Sequence, residues 1–245
     1  MFTSRHVSVT VLLLILISAC AAAYGFTYPV IRKSGKNIAA FVPVGWHVLS
    51  EANGEKVLAK ASGDLNGDTL PDIAMVIECN KDLNATGKEA NSPGNQHKPR
   101  IFLALFKTQQ GGYILSVQSN DLILCADDGG IFGDPFDGLS MKRGTVVVHF
   151  YGGSAWRWDI TSRFRLQNGG WYLIGLTDLS YHDASGEMRE YDYNLLNGRM
   201  KITTGNYFKK AQQKSKWKTP GKRKVLLTRY HAWFDGEWQK MADHG

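Results

Sequence analysis

From about residue 56 to residue 230 the chain alternates short apolar or β-branched runs with clusters of Gly, Asn and Asp. Runs of that kind bounded by turn residues read as strands. The pattern predicts strands over 56–61, 72–79, 100–108, 112–117, 122–125, 145–151, 155–166, 171–180, 190–195, 199–203 and 225–230. Gln110-Gly111-Gly112, Asn168-Gly169-Gly170 and Asn197-Gly198 sit between such runs, where glycine supplies the positive φ a tight hairpin needs. Residues 37–42 have the composition of one or two helical turns, stopped by Pro43. No long amphipathic helix follows and no period repeats. The expectation is one mainly-β domain over 38–245, with antiparallel sheets and few short helices.

Ahead of the domain the chain reads MFTSRH and then runs apolar from Val7 to Ile17. That run is too short to be a permanent membrane span. A charged start, an apolar middle and small residues after it have the form of a secretory signal over 1–19. Ile17-Ser18-Ala19-Cys20 resembles the lipobox of bacterial lipoproteins. The resemblance implies cleavage before Cys20, acylation of that residue with groups such as palmitate, and a tether over 20–37. Ala21 in place of Asp implies, by the same resemblance, the outer membrane, with the domain facing the periplasm or the surface. The alternative is an ordinary signal cut after Ala23, giving a soluble periplasmic or secreted protein.

An envelope address changes how the cysteines read. Cys79 and Cys125 are the two that would remain besides Cys20, and an oxidising compartment favours bridging them; a pair of buried thiols is the alternative. Charge matters for one segment only. The whole chain has 29 Lys and Arg against 22 Asp and Glu, a formal +7. Much of the excess lies in Lys209 to Lys224, KKAQQKSKWKTPGKRK, which holds no acid. Such a run reads either as a solvated segment or as a patch for an anionic surface. Nucleic acid is not an expected partner in that compartment.

The most specific motif is GDLNGDTLPD at 63–72. Asp64, Asn66, Asp68 and Asp72 place oxygen side chains at positions 1, 3, 5 and 9 of a loop, and the Leu70 carbonyl stands at position 7. Hard cations such as Ca²⁺ take six to eight oxygen ligands, and closely spaced carboxylates that repel one another give such an ion a structural reason to bind. Position 12 is Met75, so the loop is not an EF-hand. It resembles the DxNxDGxxD loop of FG-GAP (integrin-α, VCBS-type) repeats, which bind calcium in hairpin loops of β-propeller blades. The resemblance spans about 56–80, and implies a blade-like hairpin unit and a Ca²⁺ ion on those five residues. It departs at Thr69, where the family has Gly. An Asx-rich turn without metal is the alternative.

Elsewhere, Asp127, Asp128, Asp134 and Asp137 lie in a Gly-rich loop and read either as turns or as acid/base carboxylates. His149 and Ser154 lack the elbow or triad spacing of a nucleophile pair. Trp156 and Trp158 share a strand face, with Tyr151 nearby, as a core or as a binding surface. His182, Asp183 and His231 lack the companions of a zinc site, and no phosphate-binding glycine motif occurs. GGIFGDPFDGLS and HFYGGSAWRWDITSRF are similar to stretches of uncharacterised bacterial envelope proteins, a resemblance that implies no activity. These features lead to the expectation of a non-enzymatic lipoprotein anchored at Cys20, with a calcium-stabilised β-domain that binds a protein or glycan. The rival is an envelope hydrolase working through Asp127, Asp128, Asp134 or His149.

Overall fold

The fold is described for residues 26–52, 54–83 and 97–232 of a computed structural model. It is mainly β, built from antiparallel sheets, one of which curls into a half-barrel. Strand β1 (Ser34–Gly35) is followed by a single 3₁₀ turn, Ile38–Phe41, which the Asn37 side chain caps by accepting from the Ala40 N–H. Then come β2 (Trp46–Val48), the small hairpin β3 (Glu51–Ala52) and β4 (Glu55–Lys56), and β5 (Lys60–Gly63). The long strands β6 (Asp72–Cys79), β7 (Arg100–Lys107) and β8 (Tyr113–Ser119) complete a six-stranded sheet of order β1-β8-β7-β6. Two short strands share the free edge of β6, β5 at its Asp72 end and β2 at its Cys79 end. Thus β5 to β8 make a four-stranded meander, with the 63–72 loop joining its first two strands.

The second sheet has eight strands. Seven follow one another in space as in sequence: β9 (Phe136–Lys142), β10 (Thr145–Gly153), β11 (Trp156–Gln167), β12 (Gly170–His182), β13 (Glu187–Asn194), β14 (Arg199–Asn206) and β15 (Lys214–Lys218). The eighth, β16 (Val225–Leu226), adds to β12. Register shifts at His149/Phe150 and Arg163/Phe164 mark bulges, which bend a strand and increase its twist.

The main core lies between the sheets. Ala74, Val76, Phe102 and Ala104 from the first meet Val146, Val148, Phe150, Phe164, Tyr191 and Ile202 from the second. Burying each large side chain contributes about 1.5–3 kcal/mol. The other face of β6 and β7 is also covered: Ile73, Met75, Ile77, Ile101, Leu103 and Leu105 pack with Ile31 and Phe41. Every residue of β6 is therefore buried, whereas β10 and β13 alternate.

Three expectations are corrected. The strand expected over 225–230 is only Val225–Leu226, after which Leu227–Arg229 forms a 3₁₀ turn. Residues 122–125 form no strand. Leu122, Ile123, Leu124 and Cys125 are all buried in succession, so the segment enters the core as irregular chain, and Arg100 takes the Leu124 carbonyl. Nor are Cys79 and Cys125 bridged: Cys79 is a free buried thiol, while Cys125 is disulfide-bonded. The pleat explains the failure. Cys79 has the parity of Ile73, Met75 and Ile77, on the side of β6 away from the main core, to which Leu122–Leu124 belong. Cys20, the expected anchor, lies outside the described residues.

Candidate functional site

The acidic loop at 63–72 is folded by its own side chains. Asp64 accepts from the Gly67 and Thr69 N–H groups at 2.6 and 2.9 Å, and these bonds, Gly67 first, hold its carboxyl below the usual range. Asn66 accepts from Asp68 N–H, and Asp68 from Leu70 N–H. The Leu70 carbonyl accepts from Asp72 N–H at 3.0 Å. Asp72 is fully buried, and its two oxygens take the N–H groups of Leu65 and Lys107, each at 2.8 Å. Burial raises its pKa, with the charges of Asp68 and Asp64 adding to the effect. Thr69 holds φ at 70°, a conformation costly for a β-branched residue, at the position where the calcium-binding repeats carry Gly. The oxygens of these five residues thus hold the loop closed through its own N–H groups, with Asp72 also pinning the loop to β7.

The second acidic loop is split among three tasks. Asp134 joins a buried network: Arg100 Nη1 donates to its Oδ1 at 2.7 Å, Nη2 to its Oδ2, and Nε to Glu78 Oε2 at 2.8 Å. Burial disfavours the Arg100 charge, but the hydrogen bonds and charges of Asp134 and Glu78 outweigh it and raise its pKa. Asp127 faces His97 Nδ1 at 3.0 Å, and His97 Nε2 stands 3.8 Å from Cys125 Sγ. His97, Cys125 and Asp127 bring ligand atoms within 4.8 Å of one another, yet a disulfide sulfur is not the thiolate that metals bind. Asp128 accepts from Cys125 N–H, and burial raises its pKa.

Asp137 does something else. It lines a half-open cavity of about 500 Å³ whose walls include Glu55, Lys56 and Leu58 beside the small hairpin, Phe132, Asp137 and Ser140 from the 130s segment and β9, and His149 and Tyr151 of β10. The wall at Phe132 is fixed by glycines. Ile131 N–H donates to Gly153 O, Gly153 N–H to Gly129 O, and a Cβ on Gly130 would stand 2.7 Å from Gly153 O. Arg157 lies 4.1 Å over the Phe132 ring, and Phe132 meets Tyr151 with ring centroids 5.5 Å apart.

At the cavity wall His149 is held between two carboxylates. Its Nδ1 is 2.5 Å from Asp137 Oδ2 and its Nε2 is 2.9 Å from Asp159 Oδ1. Only the imidazolium donates from both nitrogens. The Asp159 hydrogen bond and then the charges of Asp159 and Asp137 accordingly raise the His149 pKa against its burial. On β12, Asp178 faces the inner side opposite Ile160, and burial with the nearby Asp159 charge pushes it up to about 6.

Sequence reasoning singled out Asp137 and His149, which the fold brings together, and Asp134, which shares the cavity lining but is committed to Arg100. Asp127 and Asp128 lie in the separate cluster at Cys125. Trp158 packs against the main core, whereas Trp156 is 48% exposed beside His182. Asp159, Asp178 and the hairpin residues Glu55 and Lys56 were missed. Asp159 had a signal: with a turn at 153–155, Tyr151 pairs with Asp159, placing that carboxylate diagonal to His149 on the same face. Compared with protein-family models, characterised proteins and solved structures, the chain matches none.

Proposed function

We propose that the protein is an envelope binding protein that takes a saccharide segment into the cavity between the small hairpin and β9–β10. The observation that supports this reading is the cavity's lining: aromatic rings of Phe132 and Tyr151 beside the polar side chains of Lys56, Glu55, Asp137 and His149. Ring faces suit the C–H faces of a sugar, and the charged groups suit its hydroxyls. A binding role accords better than a hydrolytic one with His149. Both its nitrogens face carboxylates, so neither offers the free lone pair of a general base. A Ca²⁺ ion on Asp64, Asn66, Asp68, Asp72 and the Leu70 carbonyl belongs to the same proposal.

The test is capture of the full-length protein on an array of immobilised saccharides. One saccharide class is expected to retain it, with Tyr151→Ala and Lys56→Ala each weakening retention by about tenfold. Lys56 is exposed, so its replacement leaves the fold intact. Absence of retention on every saccharide, or retention unchanged in both variants, would overturn the proposal.

A further inference from the structure

One end of the eight-stranded sheet carries an exposed aromatic and basic cluster that the cavity does not use. There β11 begins at Trp156, opposite His182 at the end of β12, and Glu187 opens β13 opposite Asn206, the last residue of β14. Beyond Asn206 the chain reads Tyr207-Phe208-Lys209-Lys210 before entering β15. Tyr207 is 39% exposed and Phe208 59%. Tyr207 stacks flat on Tyr181, with centroids 3.9 Å apart, and Phe208 meets both rings edge-on. The turn is rigidly made: Asn206 Oδ1 accepts from Phe208 and Lys209 N–H, and its Nδ2 donates to Ser185 O. Lys209, Lys210, Lys214 and Lys216 are all exposed, and none pairs with a carboxylate among the described residues. The acids at this end are Asp183, paired with Arg157, and the exposed Glu187.

A charged edge strand blocks unwanted strand addition, which accounts for Lys214, Lys216 and Lys218 on β15. It does not account for aromatic rings held out in a structured turn next to two more lysines. Aromatic side chains with one apolar and one wet end favour the boundary between lipid tails and headgroups, and lysines beside them favour anionic headgroups. We propose that this end of the sheet, Tyr207 and Phe208 with Lys209 and Lys210, docks onto an anionic lipid bilayer. The proposal is independent of the cavity. It gives the basic segment a partner and orients the domain on the membrane surface.

The test is partition of the full-length protein between vesicles of phosphatidylcholine alone and vesicles that also contain phosphatidylglycerol. Contributions that do not depend on headgroup charge are common to both, so the ratio isolates the surface. The expected ratio favours the anionic vesicles by about tenfold at low salt and falls towards one as salt rises. Lys209→Glu/Lys210→Glu should abolish the preference. Tyr207→Ser/Phe208→Ser should reduce binding to both vesicle types. In Phe208→Trp, emission beyond that of wild type should be quenched by brominated lipids. A ratio near one at low salt overturns the proposal. So does an anionic preference with no effect of the aromatic substitutions and no quenching, the result expected if the lysines serve an acidic polysaccharide.

Discussion

The two sheets handle their faces differently, and the difference locates function. In the six-stranded sheet β6 and β7 are covered on both sides, by the main core and by the smaller cluster around Ile31 and Phe41. A charge entering that layer must be fully matched there, as Arg100 is by Glu78, Asp134 and the Leu124 carbonyl. The eight-stranded sheet packs against the main core on its inner face alone. Its outer face carries Asp137 and His149 at the cavity, with Asp159 holding His149, and its end carries the aromatic cluster. One sheet serves as scaffold and the other as surface.

The largest test of that contrast compares two arginines. Arg100→Met leaves Asp134 buried without its cation, and Glu78 with the more distant Lys98 at 4.0 Å, and should cost about 3–5 kcal/mol in a denaturant melt. Arg163→Met, on the outer face with a single bond to Thr177, should cost less than about 1 kcal/mol. Equal costs would break the distinction between the sheets.

Calcium is the next largest effect. If the 63–72 loop holds the ion, a hundredfold excess over Kd stabilises the protein by about 2.7 kcal/mol, and EGTA reverses it. Asp64→Ala/Asp68→Ala should remove the response. A thermal melt that does not move with Ca²⁺ would leave the loop as an Asx-rich turn closed by its own backbone.

Asp178 sharpens the comparison from the inner face. Its folded pKa of about 6 lies above the unfolded 3.8. The unfolded chain therefore releases its proton first as pH rises, and a penalty to the fold accumulates between pH 3.8 and about 6 and persists above. Asp178→Asn should raise stability at neutral pH by up to about 3 kcal/mol and leave it unchanged at the acid end of that window. Equal effects at both pH values would remove the buried-charge account.

The smallest effect is at Thr69. Its positive φ strains a β-branched side chain in an exposed loop, and Thr69→Gly should stabilise the fold by about 1 kcal/mol less the entropy glycine adds to the unfolded chain. It should also strengthen any calcium response.

Much of the scaffold was legible in the chain. The apolar runs predicted β6 and β7, and the Asn168-Gly169 and Asn197-Gly198 turns predicted two hairpins of the large sheet. Strand β9 was hidden because Asp134-Pro135-Phe136-Asp137-Gly138 carries turn residues into a strand start. Strand β15 was hidden because an edge strand tolerates lysines that elsewhere signal solvated chain. Leu122 to Cys125 misled in the opposite direction, since an apolar run buried as irregular chain has the same composition as a strand. The His149 clamp depended on register, and the Arg100 network joins residues 22 and 34 positions apart, which no local pattern links.

The most direct test of the central claim is hydrogen exchange of the full-length protein with and without a saccharide that the array retains. The account predicts added protection confined to the small hairpin at 51–58 and to β9 and β10 around Asp137, His149 and Tyr151. Protection elsewhere, with those segments unchanged, would contradict it.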